Sequence, residues 1–257
     1  FFNDAEFFVF DLLFALVFFI RENDPLHELM ANDVALGKLK NSYSFYSPKD
    51  FDLMKLPEDA AERNAVRILN PISEELSLMR TFLAPSMLGN AVRNIRRGND
   101  EGRQFEVANV YVPRDTMAGE QPEERKHVVL GVWGGKNDFF DMKGAVEKIA
   151  EIFHVKFGYE RAEKSYLHPG VSAVVLYDGK AVGEIGELDP AIALSLGLDK
   201  KVYLCELDLA SLEEEFDDKI AYKNLPKFPA VKRDLALIAD ETLTCGQIEE
   251  VLLHSRK

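Results

Sequence analysis

The sequence predicts an α+β protein built on a largely antiparallel sheet flanked by helices, and three observations carry that prediction. Apolar or alternating runs come in adjacent pairs, with "QFEVANVYV" (104–112) followed closely by "HVVLGVWGG" (127–135). A second pair, "VSAVVLYDGKAVGEIGEL" (171–188), is joined by Asp178-Gly179, and Asp-Gly between alternating stretches is a strong short-range hairpin signal. Helical periodicity, finally, is gathered between these groups instead of following every strand, which is the pattern of α+β rather than α/β chains.

The elements follow in order. "SYSFYS" (42–47) reads as a short strand, and Ser47-Pro48 then starts a helix with Ser47 as N-cap and proline in the first turn. "AVRIL" (65–69) reads as another strand, closed by Asn70-Pro71. From Pro85 to Arg97, Met87, Leu88, Ala91, Val92 and Ile95 recur at three- and four-residue steps, leaving Arg93, Arg96 and Arg97 opposite, and Gly98 stands where a helix stops. The clearest helix is "NDFFDMKGAVEKIAEIFHV" (137–155), with Asn137 or Asp138 as cap and Phe140, Ala145, Ile149, Ile152 and Phe153 marking its apolar side. A short helix over 190–196 and the strand "KVYLCELDL" (201–209) complete this part. Two prolines and two lysines in "YKNLPKFP" (222–229) then break the pattern, after which "RDLALIAD" (233–240) reads as a strand and "CGQIEEVLLHS" (245–255) as a helix. The expected division is an unassigned segment over 1–38, a main domain over 39–221, and the opening β-α portion of a second domain over 222–257.

The first twenty residues, "FFNDAEFFVFDLLFALVFFI", hold eight of the eighteen phenylalanines. Their charge-poor stretch, 7–20, includes Asp11 and falls short of the roughly 20 residues a bilayer crossing needs. The segment also lacks the basic front and small-residue cleavage site of a secretory signal. A buried helix, or one packed on a partner, is the expectation.

Hydrophobic residues make up 47% of the 257 and charged residues 29%, so a sizeable core is available. Cys205 and Cys245 lie far apart, which points to a reducing compartment, here the cytoplasm, and away from thiolate metal sites. A net charge of -13 opposes nucleic acid except where basic residues concentrate. Two such places exist: five arginines between Arg80 and Arg103, and a tail over 219–257 with seven basic and five acidic residues.

Searching for chemistry yields little. His127, His154 and His168 lack the spacing of a helical zinc site, and no GxSxG elbow, Walker loop or GxGxxG follows a strand. "GVWGGK" (131–136) reads as a strand end with a tight turn. In "GEIGELDP" (183–190) two glycines signal a close backbone approach, but Glu184, Glu187 and Asp189 would repel a nucleotide's phosphates. A strand leading into an Asp-Pro-started helix explains them. A metal-dependent hydrolase using His154, His168 and these three acids is the rival reading, and a degenerate paralogue acting as a protein-binding module is another.

Four segments, "LNPISEELSLMRTFLAPSMLGNAVRNIRRG", "FFDMKGAVEKI", "LHPGVSAVVLYDGKAVGEIGELDP" and "LPKFPAVKRDLALIADE", occur in the order and spacing of the C-terminal half of the bacterial phenylalanyl-tRNA synthetase beta subunit. The chain resembles that family from about Ser42 to Arg256. The resemblance implies a class II aminoacyl-tRNA synthetase-like antiparallel sheet flanked by helices that has lost its chemistry, followed by a truncated ferredoxin-like β-α start of an anticodon-binding domain. Class II sites carry a phenylalanine-arginine-x-glutamate element and a glycine-rich strand followed by arginine. Here "MRTF" lacks the glutamate and the glycine-rich strand carries acids, so the resemblance implies no catalytic residue and no metal ligand in this chain.

It further implies a catalytic alpha subunit as partner in an alpha2beta2 heterotetramer, with tRNA(Phe) as the nucleic acid and no membrane. ATP and Mg2+ are expected at the alpha subunit and in domains outside this chain, none bound here. Arg80, Met87, Leu88, Val92, Ile95 and Arg97 are the expected subunit-interface residues, on a helix resembling the class II dimerisation segment. Lys227, Lys232 and Arg233 are the expected tRNA contacts, acting on phosphates rather than bases.

Overall fold

The computed structural model describes residues 29, 36–114, 120–213, 231, 234–240 and 243–254. The chain forms two compact units, 1–218 and 219–257. The first holds a seven-stranded sheet in the order β1-β4-β5-β9-β8-β7-β6, where β1 is Lys38–Leu39, β4 Gly102–Val112, β5 Glu123–Trp133, β6 Gly158–Arg161, β7 Leu167–Tyr177, β8 Lys180–Leu188 and β9 Val202–Asp208. Every pairing is antiparallel except β1 with β4. A small ladder joins β2 (Phe45–Tyr46) to β3 (Leu78–Met79).

The expected hairpin forms: Asp178 and Gly179 both take positive φ, 47° and 74°, as a two-residue turn between twisted strands requires. β9, last in sequence, lies between the β4–β5 and β6–β7–β8 groups and pairs with β5 and β8. This insertion puts the side chains of β9 at the centre of the sheet.

Helices cover both faces. Ser47 caps α1 (Pro48–Leu53) through a capping box completed by Asp50. Asp138 and Asp141 do the same for α3 (Phe139–Ile152), and Asp189 caps α4 (Pro190–Ser195). α2 (Ala84–Arg96) ends at Arg97 and Gly98, the latter at φ 84°. α1, α2 and α4 pack with Val129, Trp133 and Leu204 on one face. α3 and α5 (Leu209–Glu213) pack with Phe105, Val128, Leu130 and Leu207 on the other.

Several expectations need correction. Residues 65–69 make only an isolated bridge, Arg67 to Leu78, because β3 is two residues long and offers no longer edge to pair with. Phe140 is 72% exposed: it lies five residues, about 140° of helix turn, from Ala145 and so points away from the buried stripe. β6 was not foreseen, and β7 begins four residues before the apolar run that announced it. In the second unit, 234–240 is not a strand, since its exposed backbone has no partner strand among the described residues, whereas the expected helix forms as α6 (Cys245–His254). The segment 1–28 lies outside the described residues.

Candidate functional site

The sheet face beneath α2 carries an unusual row of acids. Register places Glu106 of β4 opposite Val129 of β5, Val129 opposite Glu206 of β9, and Glu206 opposite Glu184 of β8. Residues paired across strands share a face, so three glutamates line up on that face across four central strands. Isolated carboxylates would not remain ionised in such a place, and each has its own partner.

Glu106 is met by Arg80, whose Nη1 lies 3.0 Å from Oε1, and the Ser42 amide donates to the same oxygen at 3.0 Å. The Arg80 Nε also donates to the Asn109 carbonyl at 2.8 Å. Glu206 accepts the Leu83 amide at 2.8 and 2.9 Å and the Ala84 amide at 2.9 Å, and its Oε1 lies 2.8 Å from His127 Nδ1. Glu184 is held by the Tyr166 hydroxyl and by Lys164 Nζ at 3.0 Å. Burial pushes the Glu184 carboxyl up, with Lys164 and Tyr166 only partly opposing it, and burial also drives Tyr166 well above the usual phenol value.

At the row's flank Arg125 pairs with Asp208 at 2.5 Å. Burial raises the Asp208 carboxyl, but Arg125, Ser211 and His127 outweigh it and hold it below its ordinary value. Arg80, Arg125 and Lys164 are thus each turned onto an acid of this chain. The arrangement glues α2 and the β2–β3 ladder to the sheet; it presents no convergent cationic surface for a phosphate.

The six expected interface residues divide sharply. Arg80 is 3% exposed, Met87 and Leu88 0%, and Val92 6%, all covered by this chain's own sheet and helices. Gly131 lets Met87 come so close that a Cβ there would sit 2.6 Å from Met87 Cγ. For these four the expectation is corrected: the apolar stripe of α2 is spent on the core and Arg80 on an internal ion pair. Ile95 is half-buried and Arg97 exposed, so only these two remain available to a neighbour. Lys227, Lys232 and Arg233 lie outside the described residues.

Nor are the acids of the 183–190 segment brought together. Glu187 binds Lys201 at 3.0 Å, and Asp189 binds Lys55 at 2.6 Å while capping α4. His168 Nδ1 accepts the Gly170 amide at 2.9 Å. Among the described residues no group of three or more His, Cys, Asp or Glu is placed to hold a metal ion. Sequence reading missed Glu106, Glu206 and His127 as a set, since nothing local marks a glutamate on a strand as a helix cap.

Comparison with known proteins decides the family. The family described as phenylalanyl tRNA synthetase beta chain CLM domain matches residues 41–209, about two thirds of the chain. The chain belongs to the phenylalanyl-tRNA synthetase beta-chain family. Relatives named phenylalanine–tRNA ligase beta subunit include that of Clostridium acetobutylicum, 39% identical over 213 residues, 82% of this chain and 27% of that protein. The Syntrophotalea carbinolica protein is 32% identical over 252 residues, 92% of this chain and 30% of that one. The Staphylococcus aureus protein is 31% identical over 218 residues, covering 80% and 26%. The chain therefore spans between a quarter and a third of the length of these beta-chain relatives. The matched range begins just before β2 and ends at the start of α5, so the whole acid row lies inside the family domain. Among the described residues no helix is long and apolar enough to cross a membrane.

Proposed function

We propose that this chain is a beta-subunit portion of phenylalanine–tRNA ligase, a non-catalytic scaffold that assembles with the catalytic alpha subunit and supports tRNA(Phe) during ATP-dependent aminoacylation. Family membership supports the enzyme. The observation that carries the non-catalytic reading is the acid row: a site for adenylate formation needs cations converging on phosphates, and here Arg80, Arg125 and Lys164 are each turned onto a buried or half-buried acid. A class II synthetase-like architecture for the main domain fits the mostly antiparallel sheet with helices on both faces. For 222–257 the same reading keeps only helix α6, because 234–240 forms no strand that could open a ferredoxin-like β-α unit.

ATP and Mg2+ then act at the alpha subunit and in beta-chain domains beyond this portion, within an alpha2beta2 assembly in the cytoplasm. Ile95 and Arg97, at the outer end of α2, are the residues offered to the alpha subunit. Lys227, Lys232 and Arg233 are offered to tRNA phosphates.

The test is a pull-down with the alpha subunit, followed by ATP–pyrophosphate exchange with each chain alone and together. Co-purification, with exchange absent from this chain alone, is the expected outcome; Ile95→Glu and Arg97→Glu should weaken capture while leaving the circular dichroism spectrum unchanged. Exchange activity in this chain alone, or no capture at micromolar concentration, overturns the reading.

A further inference from the structure

α2 lacks the usual means of starting a helix. Its N-cap is Leu83, whose side chain cannot accept a hydrogen bond, and no acid stands in its first turn. The free amides at this end are instead taken up by Glu206, a side chain more than 120 residues away in sequence. Glu206 is 5% exposed, its Oε1 is shared between the Leu83 amide and His127 Nδ1, and His127 is itself largely enclosed. A carboxylate so placed gains from the positive end of the helix dipole and from whatever charge the imidazole carries.

We propose that His127 and Glu206 form a protonation-dependent clamp fixing the N-terminus of α2 to the centre of the sheet. With a proton on both ring nitrogens, His127 sits as a cation between two acids: Glu206 at 2.8 Å from Nδ1 and Asp208 at 3.9 Å from Nε2. With one proton it is neutral, and Glu206 keeps only the two amides and a single neutral donor. The surrounding charges leave room for this switch. From β5, Arg125 is engaged with Asp208; from β4, Glu106 is engaged with Arg80; from β8, Glu184 is engaged with Lys164. The hydroxyls of Tyr46 and Tyr166, also near Glu206, stay protonated because burial raises both far above the physiological range.

The direction of the switch follows from the same contacts. Burial lowers the His127 pKa, but the hydrogen bond to Glu206 and the charges of Glu206 and Asp208 outweigh burial and Arg125, and the net value lies above the ordinary 6.5. A histidine pKa raised in the folded state stabilises fully below the unfolded value, and that contribution disappears as pH climbs through the folded value. The clamp is therefore tight in mild acid and relaxed in mild base. This inference goes beyond the proposed assembly role and needs no partner chain.

The experiment uses the intact chain. The His127 ring protons are followed by NMR from pH 5 to 9, with His127→Gln assigning the resonance, and thermal unfolding of both proteins is recorded across the same range. The expected result is a His127 midpoint above 6.5, a lower midpoint in Glu206→Gln, and a Tm advantage of the unsubstituted chain over His127→Gln that shrinks as the pH rises from 6 to 9. A midpoint at or below 6.5, or two Tm curves that run parallel, overturns the clamp. If Glu206→Gln does not fold, the other two measurements still decide.

Discussion

Replacing Arg80 with methionine is the sharpest test of how the acid row is held. The Arg80 and Glu106 side chains are 4% and 1% exposed, and their contact is 3.0 Å. Methionine fills similar volume without charge, so the substitution strips Glu106 of its cation in the core and leaves the Ser42 amide as its remaining donor. The second carboxylate oxygen already has no hydrogen-bond partner, and the Asn109 carbonyl loses its donor as well. Breaking a buried pair in this one-sided way costs about 3–5 kcal/mol, equivalent to a Tm loss of about 6–20 °C in a unit of this size. Arg80→Met/Glu106→Gln removes the stranded charge while keeping an acceptor for Ser42, and should recover at least about 2 kcal/mol. Urea unfolding of the four proteins of this cycle, with exposed Arg97→Met as a control expected within about 0.5 kcal/mol, supplies the numbers. An Arg80→Met cost below about 1 kcal/mol, or a double variant as unstable as the sum of its singles, would refute the reasoning.

Two further outcomes are expected. Leu88→Ala, at a fully buried position on α2, should cost about 2–5 kcal/mol, whereas Ile95→Ala on the same helix should cost about 1 kcal/mol; equal losses in urea unfolding would mean that α2 is not seated as described. Gly134 and Gly179 both have positive φ, but a Cβ at Gly134 would lie 1.7 Å from the Asp100 carbonyl oxygen while one at Gly179 meets open space, so Gly134→Ala should lose about 1–3 kcal/mol more than Gly179→Ala, measured by thermal unfolding.

The sequence alone determined what depends on neighbours a few residues apart. Ser47, Asp138 and Asp189 cap their helices because their side chains reach amides two or three positions on, and Asp178-Gly179 turns its hairpin because both residues tolerate positive φ. The stripe of Met87, Leu88, Ala91 and Val92 announced an amphipathic helix for the same reason. Four ordered motifs announced the family, which the matched domain over 41–209 shows.

Tertiary structure decided what those elements face. Periodicity says that α2 has an apolar side, not whether that side meets its own sheet or another chain; only Gly131 and the strands beneath it settled that Met87 and Leu88 lie in the core. Arg80 finds Glu106, and the Leu83 amide finds Glu206, across 26 and 123 residues. Such pairs exist because strand register places those glutamates in one row, and register is a property of the assembled sheet: a shift of one residue would turn every one of them to the opposite face.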